Sequence, residues 1–108
     1  MRDRTRLAAD VFVPNGDGPF PTLVCRTPYN KHRQSSAWEY EGLAHAGFAV
    51  VVQDVRGRYA SAGEFHPLFL PGWRDAEDGY DTIEWAASQP WSTGRVGTFG
   101  NSYNAWTQ

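Results

Sequence analysis

The sequence predicts an α/β fold built on a mostly parallel sheet with helices on both faces. Three observations predict it: extended and helical patterns alternate along the chain, one strand is a continuous apolar run, and the last strand passes directly into a helix. A chain of 108 residues can bury one modest core, so we expect residues 1–108 to belong to a single domain.

The first two predicted strands lie in the N-terminal quarter of the chain. Apolar residues alternate along Leu7–Val13, which is typical of a half-buried outer strand. Its inward positions would be Leu7, Ala9, Val11 and Val13. Turn-forming residues at 15–19 then lead to a second extended segment, Pro21–Thr27. We expect these two strands to be neighbours in the sheet.

A helix and a buried strand follow the polar loop at 30–36. The helix is predicted over Ala37–Ala46 and is ended by Gly47. Its expected inward residues are Trp38, Leu43 and Ala46. The run Phe48–Val52 is apolar at every position, which predicts a central parallel strand covered on both faces.

The second helix is predicted from Asp75, as its cap, to about Ser88, because acidic residues at 77 and 78 favour the positive end of a helix. Its expected inward stripe is Ala76, Tyr80, Ile83 and Ala87.

A short strand at Arg95–Phe99 then runs without a linker into Gly100-Asn101-Ser102 and a new helix. This is the context of a nucleophile elbow, in which a tight turn exposes a serine hydroxyl at a helix N-terminus. A serine that only caps the helix is the alternative.

Several ordered blocks resemble the cocaine esterase and X-Pro dipeptidyl-peptidase family of serine hydrolases, and together they cover nearly the whole chain. The blocks are Arg26-Thr27-Pro28-Tyr29-Asn30-Lys31, Val52-Gln53-Asp54-Val55-Arg56-Gly57 with its continuation to Phe65, and Phe99-Gly100-Asn101-Ser102-Tyr103. The resemblance implies the N-terminal part of an α/β-hydrolase fold that stops just after the elbow.

The resemblance also implies roles for three residues. Ser102 would attack an ester or amide carbonyl and form an acyl-enzyme, while the Tyr103 backbone N–H and the Tyr29 hydroxyl would bind the oxyanion. Preorganised donors of this kind stabilise the charge that develops in the transition state. A purely packing role for Tyr29 is the alternative.

Four features of the family pattern bear on structure. Asp54 ends the central strand, where α/β proteins keep their sites, but in the family pattern it belongs to a structural Asp-x-Arg-Gly turn with Arg56 as its partner. The loop after this turn, residues 57–65, is expected to line or border the pocket. Arg4 stands where the family has a glycine, which should weaken a turn there, and Asn104 stands where the elbow pattern has its second glycine.

A serine nucleophile needs a base, and in this fold the acid and the histidine follow the serine in the chain. None of the six residues after Ser102 is Asp, Glu or His. The three histidines, His32, His45 and His66, all precede it, and an improvised Ser102–His66 pair is the one arrangement they leave open. We therefore expect a partial domain that is inactive in isolation.

Composition excludes several other functions. The net charge is −2 and no basic run could follow a phosphate backbone, so we expect no nucleic-acid partner. No apolar run is long enough to cross a bilayer, and the N-terminus does not resemble a signal peptide, which favours the cytoplasm. Neither a metal nor an organic cofactor is implied, and the oligomeric state is left open.

Two functions therefore remain. The first is a serine hydrolase whose substrate is a small-molecule ester or amide or an X-Pro peptide. The second is a non-catalytic binding module on the same scaffold, using the aromatic loop residues Tyr59, Phe65, Phe69 and Trp73.

Overall fold

A computed structural model describes residues 1–108, apart from the side chains of residues 34–37. The elements in chain order are β1 (Ala9–Phe12), β2 (Phe20–Thr27), α1 (Gln34–His45), β3 (Ala49–Asp54), α2 (Asp75–Ala87), β4 (Ser92–Thr98) and α3 (Tyr103–Trp106). The strands form one sheet in the order β1-β3-β2-β4, in which only the β1–β3 pair is antiparallel. The predicted α/β class with a mostly parallel sheet is confirmed.

Strand β3 is the centre of the core. All six of its residues are buried, as the apolar run predicts for residues 49–52, whereas Phe48 precedes the strand and is half-buried. Val50 and Val52 pack with Tyr40 of α1 on one face of the sheet. Val51 packs with Ala86 of α2 on the other face. The two helices therefore cover opposite faces of the sheet.

Strands β1 and β2 are not neighbours, contrary to the expectation from sequence. Strand β3 lies between them, antiparallel to β1 and parallel to β2. A strand that is buried on both faces gains most from a partner at each edge, and proximity along the chain does not reveal this. The prediction that β1 is an outer strand is confirmed, although only Ala9 of its expected inward residues packs against the core, while Val11 and Val13 are exposed.

Helix α1 presents a different face to the sheet from the one expected. Tyr40 and Ala44 are buried, one helical turn apart, and Leu43 is half-buried beside them. Trp38 is 72% exposed and Ala46 is exposed, because both fall outside the stripe that Tyr40 and Ala44 define. Gly47 ends the helix with φ +97°, as predicted.

Helix α2 buries a polar stripe. Its buried residues are Asp75, Asp78, Gly79, Thr82 and Ala86. Of the expected stripe, Ala76 and Tyr80 are exposed and Ile83 and Ala87 are half-buried. The strands that pack against α2 explain why a different face is buried from the one expected, because these strands carry buried polar groups that need hydrogen-bond partners. The Thr82 hydroxyl donates to Gln53 Oε1 at 2.9 Å. Asp75 is the first residue of the helix rather than its cap, and its carboxylate binds Arg26.

The N-terminal turn forms despite its arginine. Arg4 adopts φ +67°, the left-handed conformation that a glycine would take more easily, and its N–H donates to the Met1 carbonyl at 2.8 Å. Among the described residues, no helix is both long and apolar enough to cross a membrane.

The thiol of Cys25 is expected to be unreactive in the folded chain. Cys25 is 2% exposed on β2, and burial raises its pKa to about 11. At pH 8 only about one thiol in a thousand would be the reactive thiolate. Ellman's reagent should therefore label the native 108-residue chain very slowly and the chain in guanidinium within seconds. Equal labelling rates would contradict this burial.

Candidate active site

The junction after β4 has the backbone of a strained strand-to-helix turn. β4 ends at Thr98, the Phe99 N–H still donates to Val24 at 3.1 Å, and α3 begins at Tyr103. Between them Ser102 adopts φ +53° and ψ −129°, which is unfavourable for a residue with a Cβ. Strain of this kind persists only where the surrounding structure imposes it, and it concentrates at functional sites.

Gly100 makes this turn possible. Its φ is +150°, and a Cβ at this position would lie 2.7 Å from Asn104 Cβ. A side chain at residue 100 would therefore push the strand and the helix apart. Asn104, which stands where the nucleophile-elbow pattern has its second glycine, fits within α3. The turn leaves Ser102 exposed, and its side chain makes no capping hydrogen bond to the start of α3.

Tyr29 lies beside Ser102. It follows β2, the parallel neighbour of β4, so the two residues lie at the same edge of the sheet. Tyr29 is 41% exposed, and its ring meets the Tyr103 ring edge to face at 6.3 Å. Tyr29 and Ser102 line one open cleft of about 440 Å³.

Tyr103 offers different groups on its backbone and its side chain. As the first residue of α3, it has an N–H with no acceptor inside the helix. Its phenol oxygen accepts the Leu68 N–H at 2.6 Å, which attaches the loop around residue 68 to the start of α3. Burial raises the pKa of this phenol above its usual value.

The cleft has a polar wall that sequence reasoning missed. Besides Ser102 and Tyr29, its lining includes Asn30, Arg33, Glu39, Asn101 and Asn104. The Asn104 Oδ1 atom is buried and has no hydrogen-bond partner among the described residues. These side chains come from three separate segments, and only the fold shows that they face one space.

The histidines do not line this cleft. His66 lines a separate small cavity beside Arg56 and Trp73, with its Nε2 3.7 Å from Glu64 Oε2. His32 contacts Asp10 at 2.9 Å, and His45 is exposed at the end of α1. A Ser102–His66 pair is therefore not formed in this structure.

Asp54 and Arg56 have separate partners, which corrects the expected pairing between them. The Asp54 carboxylate accepts the backbone N–H groups of Lys31 at 2.8 Å and Ala60 at 3.3 Å, so it joins two loops. Arg56 instead binds Asp78 at 2.6 Å and Asp3 at 2.8 Å. The loop at 57–65 borders the Ser102 cleft rather than lining it, because none of its residues is among the lining residues but Arg58 donates to the Pro28 carbonyl beside Tyr29.

A buried arginine network fixes the helix that follows Ser102. The Arg26 guanidinium, 1% exposed, binds Asp75 Oδ1 at 2.9 Å and Gln53 Oε1 at 3.0 Å. Its Nη1 also donates to the Thr107 carbonyl at 3.1 Å, and the Thr107 hydroxyl donates back to the Arg26 carbonyl at 2.8 Å. The network thus links β2, β3, α2 and the end of α3.

In the described part of the chain, no group of three or more His, Cys, Asp or Glu side chains could hold a metal ion.

Comparisons with known proteins find relatives along the whole chain. The sequence profile of the X-Pro dipeptidyl-peptidase (S15 family) matches residues 3–108. The chain is 44% identical to the cocaine esterase of Rhodococcus sp. (strain MB1 Bresler) over 114 aligned positions, covering 100% of this chain and 19% of that enzyme.

Solved structures give the same picture. An aminopeptidase from a marine sediment Thaumarchaeota archaeon superposes with a TM-score of 0.83 at 32% identity, covering 99% of this chain and 21% of that one. A CocE/NonD family hydrolase from Staphylococcus aureus gives 0.80 at 34% identity, covering 99% and 22%. The chain therefore spans about a fifth of the length of the relatives it matches.

Proposed function

Because the chain belongs to the X-Pro dipeptidyl-peptidase (S15) family, whose members named above are hydrolases, we propose that it carries the nucleophile and the oxyanion-binding groups of a serine hydrolase acting on ester or amide acyl bonds. One observation carries the proposal. A serine with a strained backbone at a strand-to-helix junction shares its cleft with a half-exposed tyrosine phenol.

Each group has a role in the proposed acyl transfer. Ser102 Oγ attacks the substrate carbonyl, and its proton passes to a general base. The carbonyl oxygen becomes an oxyanion, which accepts hydrogen bonds from the Tyr103 N–H and the Tyr29 hydroxyl. The base then gives this proton to the leaving alcohol or amine, whose departure leaves an acyl-serine. Water that loses its proton to the same base hydrolyses the acyl-serine to the free acid, and the base returns that proton to Ser102 Oγ. No histidine lines the cleft, so we expect the base to be supplied from outside these residues.

A hybrid enzyme tests the proposal. Residues 1–108 replace the matching segment of the Rhodococcus cocaine esterase, and the remainder of that enzyme supplies the groups this segment lacks. A fluorophosphonate probe should label the hybrid covalently at Ser102. Ser102→Ala should abolish labelling, whereas Ser88→Ala, an exposed serine at the end of α2, should leave it unchanged. A folded hybrid that is inert to the probe would overturn the proposal and favour the binding module.

Tyr29→Phe in the hybrid should lower kcat about 10²-fold or more and change KM little. The substitution removes only the hydroxyl, whose contact strengthens as charge develops on the oxyanion. The matched control is Tyr80→Phe, because the Tyr80 side chain is 60% exposed on α2. Steady-state kinetics with a p-nitrophenyl ester give both constants. A kcat within a factor of about two of the unsubstituted hybrid would assign Tyr29 a packing role.

A further inference from the structure

The Arg58 guanidinium is held by aromatic rings and a backbone carbonyl. Its Cζ lies 5.0 Å from the ring centroids of both Tyr59 and Phe65. Its Nε donates to the Pro28 carbonyl at 3.1 Å. By contrast, Arg26 and Arg56 bind carboxylates. Arg58 has no ion pair within the described residues, so salt-bridge stabilisation does not explain its placement.

The loop that carries Arg58 is built to fix this guanidinium. The Arg58 N–H donates to Val55 at 3.1 Å, and the Arg58 carbonyl accepts from Ser61 at 2.9 Å. Gly57, with φ +68°, passes so close to the loop's far end that a Cβ would lie 2.2 Å from the Phe65 nitrogen. That close approach brings the Phe65 ring against the guanidinium.

Arg58 acts on the peptide bond that leads into Tyr29. The carbonyl it holds belongs to the Pro28–Tyr29 peptide, and the N–H of the same peptide donates to Thr27 Oγ1 at 3.0 Å. Both polar atoms of one planar unit are therefore bound. Because the proline ring also restricts the backbone before this unit, the peptide plane that carries the Tyr29 Cα is held in place.

We propose that Arg58 is a positioning residue, which orients the Tyr29 phenol toward the Ser102 cleft by fixing the Pro28–Tyr29 peptide. The inference rests on the proposed function, since it assigns Arg58 a part in the reaction through Tyr29. A lysine would not substitute for it. Only a planar guanidinium can contact two ring faces while its Nε–H donates to a carbonyl.

Spectra of the 108-residue chain test the geometric half of the proposal. Tyrosine labelled with ¹³C at the ε positions reports each ring, and Tyr29→Phe assigns the Tyr29 signal. Arg58→Met should shift or split that signal. Arg58→Lys, which keeps the positive charge, should shift or split it as well. Arg95→Met, which removes an exposed arginine from β4, is the matched control and should leave it in place. An unchanged Tyr29 signal in both Arg58 variants would overturn the proposal.

Kinetics in the hybrid test the functional half. Arg58→Met should lower kcat about tenfold with KM within about twofold. A misplaced Tyr29 hydroxyl weakens the hydrogen bond to the oxyanion, and this bond matters mainly in the transition state. In the Tyr29→Phe background the same substitution should change kcat by less than about twofold. Equal effects in both backgrounds would overturn the proposal. A hybrid without Ser102-dependent turnover would refute the proposed function instead, and the spectra would still decide whether Arg58 orients Tyr29.

Discussion

Replacing Ser102 by alanine in the hybrid enzyme is expected to lower kcat for a p-nitrophenyl ester by at least about 10⁴-fold. Alanine keeps the Cβ and hence the backbone of the turn, so the variant removes only the hydroxyl that would form the acyl-enzyme. Residual turnover would come from groups that bind the oxyanion without a nucleophile. Steady-state rates of the two hybrids measure the difference, and a loss below about tenfold would show that Ser102 only shapes the turn.

The purified 108-residue chain supplies the companion measurement. It should hydrolyse the ester no faster than buffer, because general-base assistance alone contributes about 10²–10⁴-fold and no histidine lines the Ser102 cleft. Turnover above background that Ser102→Ala abolishes would show that a base is present within these residues.

Ser102→Gly separates strain from chemistry. Glycine adopts the φ of +53° without the penalty that a Cβ carries. In the 108-residue chain this variant should therefore be more stable to urea than Ser102→Ala, by about 1 kcal/mol. In the hybrid both variants should be inactive. Greater stability of Ser102→Gly than of Ser102→Ala, with both inactive, would show that the backbone strain at residue 102 is separate from the chemistry of its hydroxyl, whereas equal stability would contradict the strain.

Some features of this fold could be predicted because they depend on residues that are close together in the sequence. The apolar run in β3 reports burial on both faces, and a glycine two residues before Ser102 reports a close approach of strand and helix. These signals are local, so they can be read without knowing which elements meet.

The remaining features depend on partners that are distant in the chain. The inward face of α2 was mispredicted because its burial follows from Arg26 and Gln53, which lie on β2 and β3. The insertion of β3 between β1 and β2 likewise depends on which strands pair. The polar wall around Glu39 and Asn104 is assembled only when the fold brings residues of α1 and α3 to line one cleft. Periodicity along one segment carries none of this information.

Asp75→Ala is expected to destabilise the 108-residue chain by about 3–5 kcal/mol. The substitution leaves the Arg26 guanidinium, 1% exposed, without its carboxylate partner. Burial already lowers the pKa of Arg26, and the Asp75 charge counters that effect. Since a domain is stable by only about 5–15 kcal/mol, this loss is a large part of the total. Urea unfolding followed by tryptophan fluorescence measures it, and Trp73, whose Nε1–H donates to Asp75 Oδ2 at 2.5 Å, is a local reporter.

Two further variants show whether the buried charge is the cause. Glu77→Ala, which removes the exposed partner of Arg74 on the same helix, should lose at most about 1 kcal/mol. Arg26→Met combined with Asp75→Ala should lose less than Asp75→Ala alone, because no unpaired charge then remains. If Asp75→Ala and Glu77→Ala lower the free energy of unfolding by similar amounts, water reaches Arg26 and an unpaired buried charge is not the cause of the loss.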